Sequence, residues 1–157
     1  MPIITKSTIM RFWKNTKELP FFFGSSVQAG MLLTPLAMLY LILPFGREVN
    51  DHYMNYGEFW TSGAGITIFL FVVLECIGCW GIAARKPNSR WACVFSTIIP
   101  MIPAVLFHYL SGAAWCKQAT IAAGMVSAII PATVIYVYLF HSSAVCAYFK
   151  AGKRELP

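Results

Sequence analysis

The sequence predicts an all-α integral membrane protein, a four-helix up-down-up-down bundle with both termini on the cytoplasmic or matrix side of the bilayer. Three observations predict it: a composition unsuited to water, four apolar stretches of bilayer length, and basic residues crowded onto one side of them. Of the 157 residues, 58% are apolar and only 11% are charged. The mean hydropathy is +0.64, outside the range of ordinary soluble domains.

The apolar stretches run over roughly 21–45, 61–84, 91–112 and 119–141. Each approaches the ~20 residues that cross ~30 Å of hydrocarbon at 1.5 Å per residue. An N-terminal arm (1–20), a loop from Gly46 to Trp60, two short turns and a tail (142–157) lie between and beyond them, none long enough to bury a core of its own. The whole chain is therefore expected to form a single transmembrane domain. The first stretch is longer than a signal-peptide core and lacks a clear cleavage motif, so it is expected to be retained.

Ten of the twelve Lys and Arg fall on one side: Lys6, Arg11, Lys14 and Lys17 in the arm, Arg85, Lys86 and Arg90 in the second turn, and Lys150, Lys153 and Arg154 in the tail. Only Arg47 and Lys117 fall on the other, beside Glu48, Asp51 and Glu58. The positive-inside rule then sets the orientation. The net charge of +6 is a topology signal and gives no reason to invoke nucleic acid. The arm mixes its cations with Ile9, Phe12 and Trp13, which suits contact with anionic headgroups or with a partner. Lys6, Arg11, Lys14, Lys17, Arg85, Lys86 and Arg90 are thus candidate headgroup contacts.

Pro20 suits the first turn of helix one, and Pro44-Phe45-Gly46 ends it. Trp60 and Trp91 open helices two and three as interfacial anchors. Turns of about six residues make consecutive helices antiparallel neighbours. In lipid, helices associate through small residues. Gly124, Ala128 and Ala132 make such a row on helix four, and Ser26, Gly30 and Thr34 make one on helix one. Pro35, Pro100, Pro103 and Pro131 fall inside the spans and free the carbonyls of Met31, Ser96, Ile99 and Ser127.

Glu75 is the most informative residue. It precedes Arg85 by ten positions, or about 15 Å of helix, which is mid-membrane. A charge there opposes insertion by ~2.5–3.5 kcal/mol, so the side chain is expected to face the bundle interior and to be protonated or hydrogen-bonded. Gln28, Ser96, Thr97 and Thr133 fall at similar depth and are candidates for one polar layer around it. Such a layer can be an ion or proton site, a latch that fixes helix register, or a contact to another subunit.

His108 and His141 lie ~20 Å or more apart in depth, which argues against a haem held by both within one copy. Cys76 and Cys79 form a Cys-Ile-Gly-Cys run inside a membrane helix, where burial makes thiols inert. Cys93 and Cys146 suit either S-palmitoylation or plain packing. The segment Leu74 to Phe95, with Ile77-Gly78-Cys79-Trp80-Gly81 leading into a basic turn, resembles the end of the second helix and the intracellular turn of tetraspanins. Tetraspanins carry a large cysteine-rich ectodomain between helices three and four, where this chain has only Ala113 to Gln118 with Cys116, so no function is transferred.

No catalytic, cofactor-binding or metal-binding constellation is recognisable. The expectation is a non-catalytic structural or accessory subunit of a larger membrane complex, for instance an energy-converting respiratory complex of a mitochondrial or bacterial inner membrane. Its partners would be the bilayer and other membrane subunits; bound phospholipid is compatible with it, and no cofactor is expected. The alternatives are a small transporter or proton-conducting protein using Glu75, and a membrane thiol or lipid enzyme.

Overall fold

The computed structural model describes residues 6–49, 52–111 and 118–154, with the side chains of Lys6, 107–111, 118–124, 127 and 152–154 outside that description. It is mostly helical. Helix α1 (Lys6–Thr16) is a short amphipathic segment, and α2 (Phe21–Ile42) follows after Pro20. Val27, Met31 and Thr34 are buried on α2 at three- and four-residue spacing, while Leu32, Leu33, Leu36 and Leu39 stay exposed. One stripe of this helix therefore meets protein, and the rest suits hydrocarbon.

The loop after α2 is more ordered than a plain connection. Strands β1 (Arg47–Val49) and β2 (His52–Met54) pair antiparallel, with Arg47 opposite Met54. Helix α3 (Tyr56–Thr61) opens with a capping box, in which Glu58 N donates to Asn55 Oδ1 at 2.9 Å and Asn55 N to Glu58 Oε2 at 3.0 Å. The mostly helical fold expected also includes a hairpin here, which three-residue strands carrying Arg, Glu and His do not announce in sequence. Arg47 anchors it. Its buried guanidinium donates to the carbonyls of Tyr40, Leu43 and Phe45 and lies 4.6 Å from the Phe59 ring centroid, so a cation caps the C-terminal end of α2.

Helix α4 (Ala64–Ala83) starts after Gly63, whose φ of 83° favours glycine. It ends in a Schellman motif: Lys86 N donates to Gly81 O at 2.8 Å and Arg85 N to Ile82 O at 2.8 Å. Arg85 occupies the left-handed position normally given to glycine, with φ 57°. That conformation costs an L-residue about 1 kcal/mol, and two side-chain contacts offset it: an ion pair with Glu18 and the Tyr148 ring 4.9 Å away.

The third apolar stretch is two helices, α5 (Ser89–Ile98) and α6 (Met101–Ser111), broken at Ile99–Pro100. Pro103 frees the Ile99 carbonyl, which accepts from Ile102 N at 3.0 Å. Helix α7 (Gln118–His141) carries Pro131 internally, and the chain then bends by 57° into α8 (Ser143–Arg154). The tail is therefore an amphipathic helix for most of its length.

Among the described residues, three segments are long and apolar enough to cross a membrane: Phe21–Ile42, Ala64–Ala83 and Ser89–Leu106. A fourth is added if the bent α7–α8 pair counts as one span. Helix α4 is central, packing against α2 on one side and α5 on the other, and α5 in turn packs on α7. Two buried clusters lie at opposite ends of α4. One gathers Met31, Cys79, Ile82, Cys93, Leu139, Val145 and Tyr148, and the other gathers Leu41, Met54, Phe59, Ala64 and Val72.

Candidate functional site

Glu75 sits on α4 where this helix touches both neighbours. Its Oε1 accepts from Ser96 Oγ of α5 at 2.6 Å, and its Oε2 accepts from the Cys79 thiol, one turn along α4, at 3.9 Å. The helices approach closely here because glycines remove side chains at the crossings. A Cβ on Gly30 of α2 would collide with Cys79 Sγ, and a Cβ on Gly78 of α4 would collide with Cys93 Sγ of α5. The carboxyl, Ser96 and two thiols thus share one narrow seam.

Ser96 Oγ lies within bonding distance of Glu75 Oε1 and, at 2.8 Å, of the Cys93 carbonyl, yet a hydroxyl has a single hydrogen. The carboxylate oxygen and the carbonyl therefore compete for that one hydrogen or share it in a bifurcated bond. A cleft of about 340 Å³, lined by Thr67, Phe71, Ser96, Thr97, Pro100 and Ala128 among others, opens beside the serine.

Of the four residues expected around Glu75, the structure brings Ser96 to it and directs three elsewhere. Gln28 Nε2 donates to Thr16 Oγ1 at 2.8 Å, joining α2 to the end of α1. Thr97 and Thr133 each donate back to their own helix, to Val94 O and Ile129 O at 2.8 Å, and Thr133 is exposed. The small-residue rows divide similarly: Gly30 and Thr34 lie inward and Ala132 is buried, whereas Ser26 is exposed. Ala128 is half-buried, and the surroundings of Gly124 lie outside the described residues, as do those of His108.

The basic ends of the spans form a second assembly. Asn15 Nδ2 of α1 donates to Ala83 O at 3.0 Å, and the Tyr148 hydroxyl of α8 donates to Ile82 O at 2.9 Å. Both amphipathic helices therefore dock on the same end of α4. Phe12 meets Trp80 edge-on at 5.9 Å. Arg90 lies 4.4 Å and 4.9 Å from the Phe140 and Phe149 ring centroids and donates to Leu139 O at 3.2 Å.

The expected headgroup contacts fall into two sets. Arg85 and Arg90 are committed within the protein, whereas Arg11, Lys14, Lys17 and Lys86 are exposed; the Lys6 side chain lies outside the described residues. Cys79, Arg47, Asn15 and Tyr148 had not been singled out for these roles. Only Cys79 carried a signal, being four residues from Glu75 and so on the same helix face.

Comparison with models of known protein families, with curated proteins and with solved structures finds no match to the chain. The fold and these two assemblies carry the functional reading by themselves.

Proposed function

We propose that the chain is a four-span membrane protein with both termini on the cytoplasmic or matrix face, serving as a non-catalytic structural or accessory subunit of a larger membrane assembly. The observation that carries this reading is the destination of the mid-span polar groups. Glu75, Ser96, Thr34, Thr97 and Thr133 all bond within the protein, to a neighbouring helix or to their own backbone. The Glu75–Ser96 bond, which joins two helices, is of the kind that fixes helix register in hydrocarbon, and the threonines satisfy themselves on their own backbones.

The outward faces of α2 and α7 complement this. Leu33, Leu36 and Leu39 on the first, and Ile129, Ile130 and Val134 on the second, are exposed, offering apolar surface to lipid and to helices of other subunits. The test is extraction in mild detergent after cross-linking, with mass spectrometry of what migrates with the chain. A defined companion subunit is expected; a monodisperse protein with no companion overturns the reading.

One observation favours a second reading, a small proton- or ion-conducting protein. The single Ser96 hydrogen shared between Glu75 and Cys93, beside an open cleft, is an arrangement that changes partners when a proton arrives or leaves.

A further inference from the structure

The three cations of the turn between α4 and α5 have different fates. Arg85 is paired with Glu18, and Arg90 is held between two aromatic rings. The Lys86 side chain is exposed, and its ammonium makes no hydrogen bond or ion pair with any described residue. Asn88, two residues on, is also exposed, and although it occupies the N-cap of α5 its side chain makes no capping bond. An ammonium and a carboxamide, both uncommitted, therefore stand at one edge of a single groove.

That groove holds about 440 Å³, and its remaining lining is largely apolar: Phe12 from α1, with Ile77, Trp80 and Ala84 from α4. The Phe12 edge against Trp80 makes one wall. Gly81 and Ser89 close the floor, because their helices approach so tightly that a Cβ on Gly81 would strike Ser89. From Ile77 to Ala84 the helix rises about 10 Å, so the apolar end lies deeper in the membrane than the polar end. Ile77 is 54% exposed, leaving that end open sideways to lipid. Arg11, 5.8 Å from the Phe12 ring centroid, adds a second exposed cation beside the wall.

We propose that this groove is a binding site for an anionic phospholipid. The phosphate is held by Lys86 Nζ and the Asn88 amide, and one acyl chain lies over Phe12, Trp80 and Ile77. Charge complementarity selects the class: the polar edge offers donors and positive charge, and the apolar remainder of the lining favours an occupant with a hydrocarbon part over a free anion. The assignment rests on the membrane boundary placed at this turn by the proposed function, but not on the existence of a companion subunit.

The test uses the full chain, delipidated in mild detergent and titrated with dioleoylphosphatidylglycerol or dioleoylphosphatidylcholine under native mass spectrometry. The anionic lipid should be retained about fivefold better, the factor that one lysine near an anionic surface supplies. Lys86→Ala with Asn88→Ala should abolish that preference, and Ile77→Trp, which fills the apolar end while keeping both polar groups, should weaken retention of the anionic lipid. Lys17→Ala, an exposed cation outside the groove, should leave it unchanged. Equal retention of the two lipids, a preference that survives the double substitution, displacement by inorganic phosphate as effective as by lipid, or a companion protein cross-linked through Lys86 in place of lipid would each overturn the proposal. A solitary protein that keeps the preference removes the accessory-subunit reading and leaves this site standing; a companion without the preference does the reverse.

Discussion

Glu75 and Ser96 join α4 to α5 through a bond that neither side chain replaces by itself. Truncating the serine strands Oε1 of the carboxyl in a low-dielectric seam, so Ser96→Ala should lower stability in detergent by about 1–2 kcal/mol. Glu75→Leu on top of it, which removes the stranded group, should recover most of that loss. A double variant as unstable as the sum of its parts would show that the pair is not a latch. Conduction predicts a different readout: Glu75→Gln keeps a hydrogen-bonding group in place yet should silence proton uptake into liposomes, and uptake that persists in that variant excludes Glu75 as the carrier. The place of Glu75 inside a long apolar helix was legible from the sequence. Its partners were less so, because counting residues gives height but not azimuth. Thr97 shares the depth of Ser96 yet is turned about 100° away by a helix of 3.6 residues per turn, and it bonds to Val94 O instead.

Helix pairs are set by glycines that face sulfur. Gly78→Ala pushes a methyl group into Cys93 Sγ and should destabilise the protein by about 1–3 kcal/mol. The same change in a Cys93→Ala background should cost less, because the sulfur is gone and the nearest remaining atom, the backbone N of residue 93, lies 3.3 Å away. Thermal unfolding of the four combinations checks this, and equal penalties in both backgrounds would refute the contact. Gly30 stood in a spacing row and was legible as an inward residue, but the row could not say that Ser26 would be exposed. Pro100 and Pro103 were visible as interruptions, although not as the two-residue turn at Ile99–Pro100 that separates α5 from α6. The hairpin and α8 escaped notice for a shared reason. Both are short, and long apolar runs dominate any scan of hydropathy while short mixed segments blend into the connections.

For the molecule as a whole, hydropathy located the apolar segments but not their lateral order. Lipid-facing and helix-facing side chains are equally apolar, so no periodicity separates them; α2 touches α4 through one stripe of an otherwise uniform helix. The four-span reading makes a topological prediction. Cysteines placed at Lys17 and Lys150, in a chain lacking its own, should be labelled from one side of sealed vesicles, and a cysteine at Tyr53 from the other; all three positions are exposed. Labelling of the first two from opposite sides would leave an odd number of crossings and discard the reading.

The bend at Arg85 has a consequence in time. A ribosome delivers Glu18 before this residue and Tyr148 long after it, so the left-handed backbone gains its acidic counterweight early and its aromatic cover only after α5, α6 and α7 have been made. A nascent chain therefore carries this corner half-secured until α8 emerges and fastens a joint laid down much earlier.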